Sequence, residues 1–450
     1  MKIIKKQLLK IIEFIRSNED ANKTFKNANW LVGQQIFSMV LGVFVIAVMA
    51  RYFGPEKFGQ FNYALAFVGL FTAISTLGME TLTVRAIVDD DYDEGTILGT
   101  SLFLRLVGGV LLTGLAVAII KFIETSDQNL HILVLIISST MVFRSFEVIE
   151  YWIQAYQKAK LSSLIRMCIY IVTASLKVGM VIFKGTLITY ALIYMLDAMI
   201  IGIALLIAYF RVREKVSLWR VSFTYAKNLL SQSWYLILSG LMVTLYMRVD
   251  QVMLGAMLPD NIELGVYSAA VRVAEMWYFV PVAIITSFKP IIMRNKSIDE
   301  YSYKTSVQAL YTIVAWSGIG FGILILLFSK PIIGILYGTE YLKAASILSI
   351  SVWAGTFAML GSVRSVWLIC EGLQRYTLIY TFSGLVVNVI LNYIMIPKLG
   401  AYGAAFATLV SQAINVLVLG FFKDTRISLL MIFKALSFKQ LIGLRNYYIK

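Results

Sequence analysis

Charged side chains stand inside long apolar stretches of this sequence, where they could bind a ligand or an ion. The basic members are Arg105, Arg144, Arg166, Lys177, Arg248, Arg272 and Arg364, and the acidic members are Glu147, Glu150, Asp197, Asp250 and Glu275. If the stretches cross a bilayer, each such charge costs about 2.5–3.5 kcal/mol or more at a helix centre, so it usually faces a polar cavity. The excess of basic groups is a weak indication of an anionic ligand.

These side chains fall into two predicted roles. The candidates for substrate binding are Arg105, Arg144, Lys177, Arg248 and Arg272, and the candidates for ion coupling or charge balance are Glu147, Asp197, Asp250 and Glu275. We expect Arg105, Lys177 and Asp197 in cavities, because they lie deep in their stretches without a charged neighbour on the same helix face. For the same reason Asp197 is the best single coupling candidate.

Several of these residues also allow a purely structural interpretation. Arg144 with Glu147, and Arg272 with Glu275, are spaced to form ion pairs within one helix. Arg166 and Arg364 lie near the ends of their stretches and are interpreted as anchors at the membrane surface. The amides of Gln34, Gln35, Asn388 and Asn392 could bond either to sugars or to neighbouring helices.

The elements that carry these residues are predicted to be membrane-spanning helices. Of 450 residues, 59% are hydrophobic and 14% are charged, and the mean hydropathy is +0.79, which is unlike a soluble domain. About 20 apolar residues cross a bilayer core as a helix. Twelve such stretches occur, at about 30–50, 61–83, 97–120, 130–152, 163–184, 187–210, 233–258, 265–288, 305–328, 345–369, 376–397 and 400–422. The fold class is therefore an all-α membrane protein.

The distribution of Lys and Arg predicts the orientation. Most of the 40 basic residues fall in the N-terminus, the C-terminus and alternate loops, which places both termini in the cytoplasm. The net charge of +15 then reflects membrane orientation, and no nucleic-acid partner is expected. Apolar residues at helical spacing among the lysines of residues 3–15 predict an amphipathic surface helix.

A short motif recurs where the chain re-enters the apolar phase. It reads "GQFNYA" at Gly59, "GVYSAA" at Gly265 and "GAYGAA" at Gly400, and each copy follows a proline. We interpret the glycines, including Gly54 and Gly59 in "ARYFGPEKFGQFNYALAF", as turn residues. The first two copies are about six spans apart, which predicts two parallel six-helix lobes related by an axis along the membrane normal.

The predicted organisation follows from these spans. It comprises an amphipathic segment at 1–28, an N-lobe at 29–210, a cytoplasmic linker at 211–232, a C-lobe at 233–422 and a basic cytoplasmic tail at 423–450.

Three segments make the sequence resemble a known family. They are "ARYFGPEKFGQFNYALAF", then "MRVDQVMLGAM" with "LGVYSAAVRVAEMWYFVPVAI", and finally "NVILNYIMIPKLGAYGAAFAT". Together they resemble the Wzx-type polysaccharide (O-antigen) flippases of the multidrug/oligosaccharidyl-lipid/polysaccharide exporter superfamily. The resemblance covers nearly the whole chain in span count and order. The basic tail departs from it, since some relatives have two further helices there.

The resemblance implies a function. The chain would move an undecaprenyl-diphosphate-linked oligosaccharide from the inner to the outer leaflet of the bacterial inner membrane, with the lobes alternating access to a site between them. The implied partners are this lipid-linked substrate, membrane lipid and the polymerase and chain-length proteins of the same pathway, and no cofactor or metal is expected. An enzyme is not expected either, because the sequence contains no Walker-type loop, metal-ligand cluster or large aqueous segment.

Two other functions remain open at this level. A cation-coupled multidrug exporter of the same superfamily would share the fold, but the unpaired deep groups include Arg105 and Lys177, which favours an anionic substrate. A membrane polysaccharide polymerase is the third alternative.

The sequence suggests one specific binding site for a lipid diphosphate. Arg248 and Arg272 lie on adjacent spans and differ in depth by only about 4 Å at 1.5 Å per residue. Two guanidinium groups at one level could clamp the diphosphate, since each binds two oxygens at once. Asp250 and Glu275 would balance their charge in the empty site, or all four could form a permanent ion-pair network.

Overall fold

The computed structural model describes residues 19–90, 92–212 and 219–447, and throughout this part of the chain the regular elements are helices. The α-helices are α1 (Glu19–Ser75), α2 (Met79–Asp89), α3 (Glu94–Ile123), α4 (Gln128–Phe143), α5 (Val148–Ala155), α6 (Ala159–Ile182), α7 (Leu187–Val212), α8 (Phe223–Met257), α9 (Ile262–Met276), α10 (Phe279–Ile298), α11 (Glu300–Tyr337), α12 (Lys343–Cys370), α13 (Arg375–Leu399), α14 (Ala401–Leu417), α15 (Arg426–Ala435) and α16 (Phe438–Tyr447). Short 3₁₀ turns occur at Arg144–Glu147, Thr339–Tyr341 and Val418–Phe421. The predicted all-α class is confirmed.

The helices are long enough for a multi-pass membrane protein. The described residues contain eleven helical stretches that are long and apolar enough to cross a membrane. The first of these, Lys26–Asp89, contains a backbone break at Gly54, so the count is consistent with the twelve predicted spans. The predicted amphipathic helix over residues 3–15 lies outside the described residues.

The two glycines of the first motif have different roles. Gly54 adopts φ 72° and ψ 172°, a conformation that favours glycine, and Pro55 opens the following helical segment. Gly59 lies inside that segment, so its interpretation as a turn residue is wrong. A Cβ atom on Gly59 would lie 2.8 Å from the Gly265 nitrogen, and one on Gly265 would lie 2.8 Å from the Pro55 carbonyl carbon. Gly59 and Gly265 therefore allow two backbones to approach closely.

The described chain forms two compact units. The N-terminal unit contains the chain up to Phe53 and Gln60–Thr244, and the C-terminal unit contains Gly54–Gly59 and the chain from Leu245 onward. The boundary between the two units falls inside α8, between Thr244 and Leu245. Helix α8 itself begins at Phe223, which lies within the segment predicted as a linker.

Each unit has its own apolar core. In the N-terminal unit, Leu98, Trp152 and Tyr209 belong to a cluster of buried side chains from α2, α3, α5, α6, α7 and α8. In the C-terminal unit, Tyr311 and Leu360 belong to a second cluster, built mainly from α10 to α15. These cores fix the helices that carry the charged residues.

The basic tail includes a helix that packs against α11. The Gln308 side-chain amide donates to the Met431 carbonyl at 3.0 Å, and the Trp316 indole donates to the Ala435 carbonyl at 3.1 Å. The hydroxyls of Tyr311 and Ser428 lie 2.7 Å apart and are both buried. Helix α15 is therefore held by specific polar contacts as well as by its apolar face.

Candidate functional site

Asp250 is the centre of a polar cluster in the C-terminal unit. Its side chain is 3% exposed and lies on α8. The Tyr267 hydroxyl of α9 donates to Oδ2 at 2.6 Å, the Thr408 hydroxyl of α14 donates to the same oxygen at 2.5 Å, and the Asn392 amide of α13 donates to Oδ1 at 2.9 Å. In the described chain no Lys or Arg forms an ion pair with it within 4.0 Å. Three hydrogen bonds thus replace its hydration while its negative charge stays unbalanced.

One oxygen beside this carboxylate has no partner. Asn392 uses its amide nitrogen for both Asp250 and the Asn388 side-chain oxygen, which lies 3.0 Å away, and its own Oδ1 is buried without a hydrogen bond. A buried acceptor left unpaired is costly unless a donor or a cation meets it. Asn388 and Asn392 bond to neighbouring helices, as one of the two interpretations expected, and contact with a sugar stays a prediction.

Lys177 and Asp197 form a second cluster, in the N-terminal unit. Asp197 of α7 accepts a hydrogen bond from Thr173 of α6 at 2.8 Å. The Lys177 ammonium, on a side chain 8% exposed, lies 5.9 and 5.7 Å from the ring centroids of Tyr190 and Tyr194. Charge–ring attraction stabilises it there. Lys177 is buried beside aromatic rings, and its predicted position in a cavity stays a prediction.

A third cluster joins four charged residues of the N-terminal unit. Arg105, 4% exposed, donates to the Tyr151 hydroxyl at 2.9 Å and lies 3.8 Å from Glu147. Arg166 of α6 pairs with Glu147 at 3.1 Å and with Glu150 at 2.6 Å. Arg166 is therefore part of an ion-pair network, whereas the sequence suggested a surface anchor.

The ion pairs predicted within single helices are wrong in the described chain. Glu147 pairs with Arg105 and Arg166, and Arg144 instead approaches the Tyr194 hydroxyl at 3.5 Å. Arg272 and Glu275 form no ion pair within 4.0 Å. Glu147 lies in the 3₁₀ turn Arg144–Glu147, where Arg105 and Arg166 of two other helices bind its carboxylate.

The proposed clamp residues are less constrained. Arg248 approaches the Gln251 side-chain oxygen at 3.4 Å, and both Arg248 and Arg272 are partly buried without an ion-pair partner in the described chain. The clamp remains a prediction.

The sequence analysis missed the role of Arg364. This residue, interpreted as a surface anchor, is 4% exposed and donates to the Asn415 backbone oxygen at 2.9 Å and to its side-chain oxygen at 3.0 Å. Its guanidinium carbon lies 4.5 Å from the Tyr380 ring centroid. The anchor interpretation is wrong. Its position at the end of a span gave no signal of burial, because its partners come from α13 and α14.

Comparison with known families gives two matches. The family described as "Polysaccharide biosynthesis protein" matches residues 24–296, and the MatE family matches residues 236–394.

Individual relatives agree with the first match. The chain is 25% identical over 84% of its length to the "Probable low-salt glycan biosynthesis flippase Agl15" of Haloferax volcanii, of which the match covers 79%. It is 22% identical over 86% of its length to the "Capsular polysaccharide biosynthesis protein CapF" of Staphylococcus aureus, and over 88% to the "Putative O-antigen transporter" of Shigella flexneri, with 96% of each relative covered.

Solved structures share the fold. An inward-facing multidrug resistance MATE family transporter of the MOP superfamily superposes with a TM-score of 0.70 at 16% identity, covering 90% of this chain and 96% of that chain. The inward closed conformation of the lipid II flippase MurJ superposes with a TM-score of 0.68 at 17% identity, covering 92% of both chains.

Proposed function

Because the chain belongs to the polysaccharide biosynthesis protein family, we propose that it is a flippase for lipid-linked oligosaccharides. It moves undecaprenyl-diphosphate-linked repeat units from the inner to the outer leaflet of the bacterial inner membrane by alternating access, for surface polysaccharide synthesis. The family match over residues 24–296 carries this proposal. Relatives named as a glycan biosynthesis flippase and an O-antigen transporter support it.

The buried charges support an anionic substrate. Among the charged side chains of the described residues, Arg105, Lys177 and Arg364 are buried basic groups, and Asp250 is the buried acidic one. A buried charge is retained where a ligand or a partner compensates for its lost hydration. Arg105 is partly balanced by Glu147, whereas Lys177 and Arg364 form no ion pair in the described chain, and this surplus of positive charge suits a lipid diphosphate better than a cationic drug.

Asp250 is our candidate for the coupling residue. Among the described residues its carboxylate has no basic partner within 4.0 Å, and the Asn392 oxygen, also without a partner there, and the Thr408 hydroxyl lie on the neighbouring helices α13 and α14. Such oxygens suit a small hard cation, and a proton on the carboxylate would neutralise the same charge. Asp197, preferred on sequence grounds, takes second place because Lys177 shares its cluster in the N-terminal unit. A cation gradient would then drive transport through Asp250.

A multidrug exporter is the second candidate, supported by the MatE match over residues 236–394. The two functions differ in what a deletion strain loses. A flippase deletion removes surface polysaccharide and leaves tolerance of dyes and drugs normal, whereas an exporter deletion does the reverse. Accumulation of lipid-linked repeat units on the inner leaflet of the deletion strain, reversed by the wild-type gene, is the result that we expect.

We place both termini in the cytoplasm, as the positive-inside distribution of Lys and Arg indicates. The polymerase and chain-length proteins of the same pathway are the proposed downstream partners. An assay of the purified chain for sugar transfer would test the remaining alternative of an enzyme, and we expect no transfer.

A further inference from the structure

The N-terminal unit contains a polar pocket that the proposed transport mechanism does not use. Its volume is about 340 Å³, which is within the usual size range of small-molecule sites. The side chains that define its chemistry are Arg105, Glu147, Glu150, Tyr151, Glu80 and Gln154. Arg105, Glu147 and Glu150 belong to the ion-pair network of this unit, and Tyr151 contacts it. Glu80 and Gln154 lie at the exposed rim of the pocket.

Two interrupted helices border this pocket. Between α1 and α2 the chain turns through Leu77 and Gly78, which have φ values of 52° and 58°, and the 3₁₀ turn Arg144–Glu147 separates α4 from α5. Within a membrane protein, irregular backbone is tolerated where it is buried in protein or lines a polar cavity. Transporters build substrate sites at such discontinuous helices.

Arg105, which lines the pocket, has a hydrogen-bond donor without an acceptor in the described chain. The Arg105 side chain is 4% exposed, and its Nε is buried without a hydrogen-bond partner, although its Nη1 donates to the Tyr151 hydroxyl. An unpaired buried N–H is unfavourable unless a ligand or water accepts from it. The Arg105 guanidinium therefore has capacity to donate to one further acceptor oxygen.

The charges around the pocket determine which kind of ligand can supply the acceptor oxygen. Three carboxylates line the pocket, those of Glu80, Glu147 and Glu150, and the guanidinium group that lines it is that of Arg105. Arg166 pairs with Glu147 and Glu150 from outside the lining. A phosphate or a uronic acid would therefore meet repulsion from the nearby carboxylates. A polyhydroxylated neutral or amino sugar fits, because its hydroxyls donate to carboxylates and accept from guanidinium and amide groups.

We propose that this pocket binds one sugar residue of the oligosaccharide and so contributes to the choice of repeat unit. The inference rests on the proposed flippase function. At the rim, Gln154 donates to Glu80 at 2.9 Å, which joins α5 to α2 across the pocket.

The test measures equilibrium binding to the full chain in lipid nanodiscs. The two probes are undecaprenyl diphosphate and the host's own undecaprenyl-diphosphate-linked repeat unit, and the variants are Gln154→Ala and Glu80→Ala. Both side chains are exposed at the rim, so the fold should be retained. The matched control is Gln232→Ala, an exposed glutamine of the same unit that bonds to Asn228 within α8.

Each rim variant should raise the Kd for the repeat unit about tenfold, the effect of one lost hydrogen bond to a polar ligand. The Kd for undecaprenyl diphosphate, and both Kd values of the control, should stay the same. An unchanged Kd for the repeat unit, or an equal rise for both probes, would overturn the sugar site. A wild-type chain that binds neither lipid would instead count against the flippase function, and against this inference with it.

Discussion

The Asn392 side-chain nitrogen lies 2.9 Å from a carboxylate oxygen of Asp250, although the two residues are 142 positions apart in sequence. Together with Thr408 and Tyr267, this contact brings four helices, α8, α9, α13 and α14, to one buried acid. A change in the charge of Asp250 therefore acts on the packing of four helices at once. This is the property that a coupling residue needs, because a bound cation must shift the balance between two conformations.

The first prediction concerns this acid. Asp250→Asn preserves the shape but removes the charge, so transport of lipid-linked repeat units into proteoliposomes should fall about tenfold or more and lose its dependence on a Na⁺ or H⁺ gradient. Asp89→Asn is the control, since Asp89 forms an exposed pair with Arg85 on one helix. Full gradient-driven transport by Asp250→Asn would exclude this residue from coupling.

The second prediction concerns the diphosphate. Arg248→Lys and Arg272→Lys keep the positive charge but lose the two-pronged donor, so each should weaken binding of undecaprenyl diphosphate about ten- to hundredfold. Protein yield and monodispersity should be unchanged, and exposed Arg85→Lys serves as the control. Normal surface polysaccharide in cells that carry either variant would show that the clamp does not exist.

The third prediction is an energetic coupling between Lys177 and Asp197. Either Lys177→Met or Asp197→Asn leaves a buried or half-buried charge with less compensation, and each should lower the free energy of unfolding by about 1–3 kcal/mol. The free energy of unfolding of the double variant should fall by less than the sum of the decreases in the two single variants. Thermal unfolding of all four proteins in one detergent measures this, and strictly additive losses would mean that the two charges act independently.

The fourth prediction concerns the close approach at Gly59 and Gly265. Alanine at either position places a Cβ against backbone atoms that cannot move aside, so each variant should lose about 1–3 kcal/mol of stability. Gly69→Ala is the control, because nothing lies within 4 Å of an added Cβ there. Thermal unfolding compares the three, and equal stability of Gly59→Ala and Gly69→Ala would contradict the tight contact.

Much of the fold was predictable from the sequence, because hydropathy and helix length are local properties. The spans and the reversal at Gly54 and Pro55 follow from apolar runs and from two residues with unusual backbone preferences. Gly59 was misassigned for a physical reason. A glycine that permits a turn and a glycine that permits a close approach look the same until the opposing backbone, here that of Asn261 and Gly265, is known.

The candidate site was less predictable, because its contacts join distant parts of the chain. The sequence identified Asp250 and Lys177 as unusual, but it could not pair Asp250 with Thr408, which is 158 positions away. Glu147 was assigned to Arg144 by helical spacing, but it pairs with Arg105 of α3 and Arg166 of α6, which are distant from it in sequence. Arg364 was missed because its partners depend on how α12 packs against α14.

The polar contacts of α15 with α11 have a practical consequence for topology mapping. A reporter enzyme fused shortly after Leu417 would replace Ser428, Met431 and Ala435, and would leave the buried Tyr311 hydroxyl and the Trp316 indole without their partners. Such a fusion would report the location of a C-terminal unit that has lost the polar contacts between α11 and α15. Reporters intended to establish the side of the membrane on which the chain ends should therefore follow residue 450, with α15 left intact.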